Sequence, residues 1–253
     1  MKSSYCTGLK IQGRRPTQED EFRFHSDRGI FSVADGFGGP IPGARASKSA
    51  CEWIESFLLR GAQDLDATLP FVLRSYISLA GNVLFNALIY ANQKILEENR
   101  KKNVNERGGA SVVTGFIDGD HLALANVGSC GAWLIRGKKA VSLVTPRTYG
   151  RLFDPFSKEW ASSSNCAADV PLGALGIYED LEPEITECRI MPDDWLLLQT
   201  DGVKIVENGP ILGQLFKIKQ KKLTKKEAAL EAVGLFKNSP EIVDNLSIVL
   251  HIF

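Results

Sequence analysis

No stretch of the 253-residue sequence is both long enough and apolar enough to cross a bilayer; the longest apolar tracts, such as 83–91, are interrupted or too short. Cysteine is scarce and unpatterned. The five, Cys6, Cys51, Cys130, Cys166 and Cys188, form no CxxC pair and are odd in number, which fits reduced thiols in a cytosolic protein. The N-terminal MKSSYCTGLK lacks the apolar run of a signal peptide, so a cytoplasmic location is expected. Histidine is rarer still. His25, His121 and His251 have no paired spacing, and each reads as a strand or surface histidine rather than a ligand or acid. Neither sign of charge prevails, with 30 basic and 30 acidic residues. That balance gives no support to a nucleic-acid or membrane-surface partner. The one local exception, Lys217 to Lys226, reads as a solvated helix or loop face.

What is present is a chain 44% hydrophobic, enough for one large core or two small ones. Residues 5–12 and 29–35 read as short strands, the second ending in the glycine-rich DGFGG at 35–39. A helix is expected over 43–60, where Ala46, Ala50, Trp53, Ile54, Phe57 and Leu58 recur at helical spacing. A longer one is expected from Pro70 to Asn99, with a stripe from Leu73, Tyr76 and Ile77 to Ile95. Strands follow at 110–117, 121–127, 131–136 and 139–144, with hairpin turns at Asp118-Gly119 and Arg136-Gly137. Residues 148–180 have weak periodicity and read as a mobile connection. Strands return at 184–190 and 194–200, then a helix from Thr224 to Lys237 with Leu230, Val233, Leu235 and Phe236 apolar, then a strand over 246–253. This order lacks the βαβ rhythm of a doubly wound sheet. It predicts an α+β fold of antiparallel sheets covered by helices, in a single domain over 1–253.

Four acidic positions share a setting at a strand end or tight turn: Glu19-Asp20, Asp35 in ADGFGG, Asp201 in LLLQTDGV and Asp244 in VDNLSIVL. A carboxylate just past an apolar strand sits at the rim of a sheet, where it can face a cleft. Glycine follows two of them and lets the backbone turn sharply or approach a ligand closely. Taken singly, each aspartate reads as a turn or cap. As a converging set they would repel one another, and hard divalent cations such as Mg²⁺ or Mn²⁺ remove that penalty.

GRRPTQED (13–20), FSVADGFGGPIPGARAS (31–47), GGASVV (108–113), LALANVGSCGAWLIR (122–136), LLLQTDGV (196–203) and DNLSIVL (244–250) resemble, in order, the motifs of PP2C-type (PPM) serine/threonine protein phosphatases. The resemblance covers nearly the whole chain, and the length and Phe37 look like the compact bacterial branch. It implies a four-layer α-β-β-α sandwich, two antiparallel sheets flanked by helices, with a flap-like segment near 148–180. It implies two Mn²⁺ or Mg²⁺ ions. Asp35 would bridge them and the Gly36 carbonyl would be a ligand. Asp201 and Asp244 would complete the site, and Asp20 and Glu19 would act through water. Arg15 matches the arginine that holds the substrate phosphate, a role suited to its bidentate fork. The implied reaction is attack of a metal-activated water on phosphoserine or phosphothreonine in a protein, with no cysteine nucleophile. The implied partner is a phosphorylated protein, opposed by a Ser/Thr kinase, and the implied oligomeric state is a monomer.

Three positions depart from the pattern. Gly128-Ser129-Cys130 stands where relatives carry Gly-Asp-Ser, and Ser129 is a poor ligand, so a third metal is expected to bind weakly or not at all. Arg147, in LVTPRTYGRL, stands where an Asp-His pair is usual. Phe37 replaces a histidine found in many eukaryotic members. The alternative to an active enzyme is therefore a binding or regulatory module that keeps the fold and turns over weakly.

Overall fold

The computed structural model describes residues 4–61, 73–153, 170–237, 239, 242 and 244–253. Strand β3 (Ile30–Phe37) shows why the chain layers as it does. Strand side chains alternate between faces, and here both faces are apolar: Ile30 and Ala34 pack on one side, Phe31 and Val33 on the other. A strand buried on both faces must lie between two other layers.

Two five-stranded sheets satisfy that need. One has the order β2 (Asp20–His25), β3, β4 (Gly109–Asp118), β5 (His121–Val127), β8 (Glu184–Arg189). The other has β1 (Tyr5–Ile11), β10 (Leu246–Ile252), β9 (Trp195–Gln199), β6 (Gly131–Arg136), β7 (Lys139–Val144). All their pairings are antiparallel. Phe31, Val33, Val113, Leu124, Leu196, Leu198 and Val249 fill the space between the sheets. Helices α1 (Pro40–Gly61) and α2 (Leu79–Arg100) cover the first sheet through Ala50, Ile54, Leu84 and Leu88. Helices α4 (Pro210–Lys219) and α5 (Lys225–Lys237) cover the second through Leu212, Leu215, Ala229 and Phe236. The four-layer α+β sandwich expected from the sequence is the observed fold.

Several boundaries differ from expectation. The second long helix starts at Leu79 rather than Pro70, and Pro70 lies outside the described residues. Ser78 caps it by accepting from the Gly81 amide, and the Asn82 side chain holds a turn over 74–78 by bonding the Arg74, Ile77 and Ser78 carbonyls. Leu73 and Tyr76 are consequently exposed rather than part of a buried stripe. In α5, Leu230 is exposed while Val233 and Phe236 are buried. Two elements are additional: β2, whose outward Arg23 pairs with Glu52 and Glu55 of α1, and α4, which begins at Gly209-Pro210. A short helix, α3 (Tyr149–Phe153), follows β7. Of the connection expected to be mobile, residues 154–169 lie outside the described residues. Leu175, by contrast, is bonded in both directions to Ala110, and Gly176 is held by Asn92 and Asn99.

Candidate metal and phosphate centre

The carboxylates singled out in the sequence gather at one end of the sandwich. Asp20 opens β2 and sits directly across the ladder from Asp35 on β3. Asp201 follows β9 and Asp244 precedes β10, and β9 and β10 are themselves hydrogen-bonded neighbours. The two sheets are tied together here by Thr200, whose hydroxyl donates to Asp20 Oδ2 at 2.6 Å while accepting from the Ser247 amide at 2.9 Å.

Backbone contacts at this end leave no room for a side chain. A Cβ on Gly36 would lie 2.0 Å from the Gly43 carbonyl oxygen, and one on Gly202 would lie 1.9 Å from that of Asn245. The glycines of the DGFGG and TDGV segments are therefore required for close approach, which brings the start of α1 against β3 and the 201–202 turn against the 244–245 turn. Gly36 also donates its amide to the Glu19 carbonyl at 3.2 Å, and Ser47 of α1 donates to that same carbonyl at 2.5 Å.

The electrostatics are dominated by like charge, relieved in part where Arg15 pairs with Asp244. Asp20 is buried, and its Oδ1 has no hydrogen-bond donor. Burial, together with the charges of Asp201 and Asp244, raises the Asp20 carboxyl to about 7 despite the bond from Thr200. Burial and the charges of Asp201 and Asp20 push the half-buried Asp35 carboxyl well above the usual carboxylate range, and the two carboxyls are close enough to share a proton. The four aspartates do not close into a cage: among the described residues no three His, Cys, Asp or Glu side chains form a metal-holding cluster. What they form is an array of hard oxygen donors with one buried oxygen unpartnered, and its donor chemistry fits a divalent cation such as Mg²⁺ or Mn²⁺.

Arg15 lies on the exposed 12–19 loop and grips Asp244 through Nε and Nη2 at 2.7 and 2.5 Å. The guanidinium is raised above its ordinary value by this bond and by the charge of Asp244. Glu19 is half-buried beside Gly43 and is bonded by Thr17. The sequence reading missed the residue that holds the whole loop. Asn245 is buried; its amide nitrogen donates to the Gln12 and Thr17 carbonyls at 2.8 and 2.9 Å, and its oxygen accepts from the Glu19 amide at 2.8 Å. Thr200 and Ser47 were missed likewise. The available signal was adjacency, since each flanks a motif residue in TDG, DN or AS.

Ser129 is buried, donating to Ser111 at 3.1 Å. Arg147 is exposed, and its backbone bonds Gly128 and Leu172. Phe37 is half-buried with its ring against Gly109. Burial first, then the charges of Asp35, Asp201 and Asp20, push the Cys130 thiol well above its ordinary range, which suits packing and not nucleophilic attack. Cys166 lies outside the described residues.

No protein-family model matches the chain. Among curated proteins it is similar to probable protein phosphatase 2C 2 of Arabidopsis thaliana, 27% identical over 222 residues, covering 79% of this chain and 53% of that one. It is 24% identical to probable protein phosphatase 2C 59 of the same plant over 242 residues, covering 87% of this chain and 72% of the relative. The chain thus spans about half the length of the first of these. Among solved structures the fold is similar to the serine/threonine phosphatase PstP/Ppp of Mycobacterium tuberculosis, with TM-score 0.75 and 20% identity over 99% of this chain and 98% of that one. It is also similar to PppA of Pseudomonas aeruginosa, described as a key regulatory component of T6SS, with TM-score 0.74 and 19% identity over 99% and 98%. Stp1 of Staphylococcus aureus gives 0.75 and 18% over 98% and 94%.

Proposed function

We propose that the chain is a metal-dependent phosphatase of the PP2C (PPM) type, the type its curated relatives and the fold of its structural neighbours support, and that it hydrolyses phosphoserine and phosphothreonine in proteins. One observation carries this reading: Asp20, Asp35, Asp201 and Asp244 direct mutually repelling charge at one rim of the sandwich, beside an arginine already held in place. Such an arrangement costs folding free energy and is explained by the cations it would hold.

In this reading Asp35, Asp201 and Asp244, with the Gly36 carbonyl, would hold two Mn²⁺ or Mg²⁺ ions, and Asp20 and Glu19 would support them less directly. When bound, the cations supply an activated water as nucleophile and screen the phosphoryl charge. Arg15 binds the phosphate. Its Nε and Nη2 face Asp244, which leaves Nη1 and the outer N–H of Nη2 for phosphate oxygens. Asn245 keeps Arg15 and Glu19 in register by pinning their loop at both ends. The bond from phosphorus to the seryl or threonyl oxygen breaks as the P–O bond to water forms. Phe37 carries no proton, so solvent protonates the leaving oxygen. The protein substrate is proposed to be the product of a Ser/Thr kinase, met by a monomeric enzyme in the cytoplasm.

A second reading, a weakly active or inactive regulatory module, is favoured by Ser129. A buried hydroxyl satisfied by Ser111 offers little to a third cation, which is expected to bind weakly or not at all. One assay separates the two readings. Purified protein is given a phosphothreonine peptide and an aryl phosphate with Mn²⁺, beside Asp201→Ala. Metal-dependent phosphate release above that of the variant supports the enzyme; none sinks it.

A further inference from the structure

The end of the sandwich opposite the carboxylates has a charge character that the whole-chain balance conceals. Six lysines fall within 217–226. The fold joins them to a second basic segment, the β6–β7 turn with Lys138 and Lys139. Lys219 links the two: its amine bonds the Asp193 carbonyl and sits 4.9 Å above the Trp195 ring, and Trp195 pairs with Ile135 near the end of β6. The charge of Lys225, at the start of α5, is felt at Lys219 and at His251 near the end of β10, which places it at the same pole. By strand rise this pole is roughly 24 Å from Asp244, which precedes β10 at the other end.

The groups at this pole divide sharply. Arg136 is bound to buried Asp194 at 2.6 Å, and Arg189 to Asp120 at 2.6 Å. Lys221 pairs with Glu231, and Glu227 is occupied by Thr224. Lys138, Lys139, Lys217, Lys222, Lys225 and Lys226 have no ion pair among the described residues, and all but Lys225 are exposed. Among the described residues Asp118, Asp193 and Glu227 have no ion pair there, although the charge of Asp193 acts on Lys219. Met191, in the β8–β9 turn beside Asp193, is 48% exposed, and Val141 on edge strand β7 is 53% exposed.

We infer that this lysine-rich pole is a docking surface for an anionic lipid bilayer. Arg136 and Arg189, whose bidentate forks suit individual carboxylates or phosphates, are each paired within the chain, Arg136 with buried Asp194 and Arg189 with exposed Asp120. What remains is point charge from three chain segments, suited to the diffuse field of an anionic leaflet, with an exposed apolar side chain among it. Trp195 and Trp133 are buried, so the described pole offers no exposed aromatic ring for stacking single-stranded bases. Docked this way, the carboxylate end would face away from the membrane.

The test is co-sedimentation of the full chain with vesicles of 30% phosphatidylserine in phosphatidylcholine, against pure phosphatidylcholine, at low and at physiological salt. The expected result is binding to the anionic vesicles only, weakened by salt. Lys217, Lys222, Lys225 and Lys226 changed together to Gln should lower the partition coefficient on the order of 100-fold or more. Lys138→Gln with Lys139→Gln should lower it roughly 10-fold or more. Lys48→Gln with Lys101→Gln, on the opposite helical layer, should leave it unchanged, and circular dichroism checks that each variant is folded. The inference is overturned if wild type pellets equally with both vesicle types, or if the control variant loses as much as the pole variants. Tighter binding of poly-glutamate or a short DNA duplex than of the anionic vesicles would also overturn it.

Discussion

Arg15 and Asp244, 229 positions apart in sequence, form a two-point ion pair through Nε and Nη2 at 2.7 and 2.5 Å. The pair sits half in solvent, so its contribution to folding is under about 1 kcal/mol. Its consequence is geometric: one edge of the guanidinium is fixed and the other is presented outward. Arg15→Ala should therefore lower kcat/KM for a phosphothreonine peptide by roughly 30- to 100-fold, the size expected for losing charge-assisted bonds to phosphate. Arg15→Lys should recover little of this, because an ammonium cannot span both Asp244 and phosphate. Steady-state kinetics with a parallel melting curve checks both statements. Activity falling without a large loss of stability is the expected pattern.

The facing carboxylates predict a trade of stability against function. Asp20 is raised to about 7 from an ordinary 3.8. An acid with a raised folded pKa binds more protons folded than unfolded, so in EDTA the fold loses stability as pH rises from about 4 to about 7. Asp20→Asn should weaken that dependence, the remainder coming from Asp35, and should stabilise the protein in EDTA at pH 7.5 by at least about 1 kcal/mol. Denaturant unfolding of both proteins across this range measures it. Adding Mn²⁺ should stabilise wild type more than the variant.

His251 works in the opposite sense. It is buried between Phe31 and Phe253, with ring centroids 4.9 and 4.5 Å away, and burial holds it neutral down to about 4. Its folded pKa lies below the unfolded 6.5. Its contribution is therefore intact above pH 6.5 and fades as pH falls toward 4, amounting to about 2 kcal/mol lost by pH 5. His251→Leu also removes a buried Nδ1 that has no partner. The variant should match or exceed wild type at pH 7 and should lose less between pH 7 and 5.

The glycine contacts give a test confined to backbone geometry. Gly36→Ala places a methyl 2.0 Å from the Gly43 carbonyl oxygen, so β3 and α1 must separate. The expected cost is more than about 2 kcal/mol, with loss of activity, since the same movement displaces Glu19. Gly213→Ala, where nothing lies within 4 Å, should instead stabilise α4 by up to about 1 kcal/mol. Equal effects at the two positions would contradict the close-contact explanation.

Much of this was legible in the sequence because the informative features are local. The run from β3 through DGFGG into α1 is a strand, a glycine turn and a helix in unbroken order. Asp201 and Asp244 each adjoin an apolar strand whose neighbours reveal it. Strand β2 was not legible, since its outward Glu21 and Arg23 are satisfied by Lys10 and by Glu52 and Glu55, which only tertiary contact supplies. The start of α2 was placed too early because apolar Leu73 and Tyr76 continue the helical spacing, while the side chain of Asn82 ends it. The Asn245 brace and the Arg15–Asp244 pair join positions more than 220 residues apart, and no periodicity encodes such a contact. The basic pole was hidden by a net charge of zero, because lysines 138–139 and 217–226 become neighbours only after the sheets form.

The most direct test is isothermal calorimetry of Mn²⁺ binding to wild type and to Asp35→Asn. The prediction is two Mn²⁺ bound by wild type, and loss of both sites in a variant that remains folded and melts at or above the wild-type temperature in EDTA. Absence of saturable Mn²⁺ binding to wild type, or unchanged binding to Asp35→Asn, would contradict the assignment of this carboxylate rim as a metal centre.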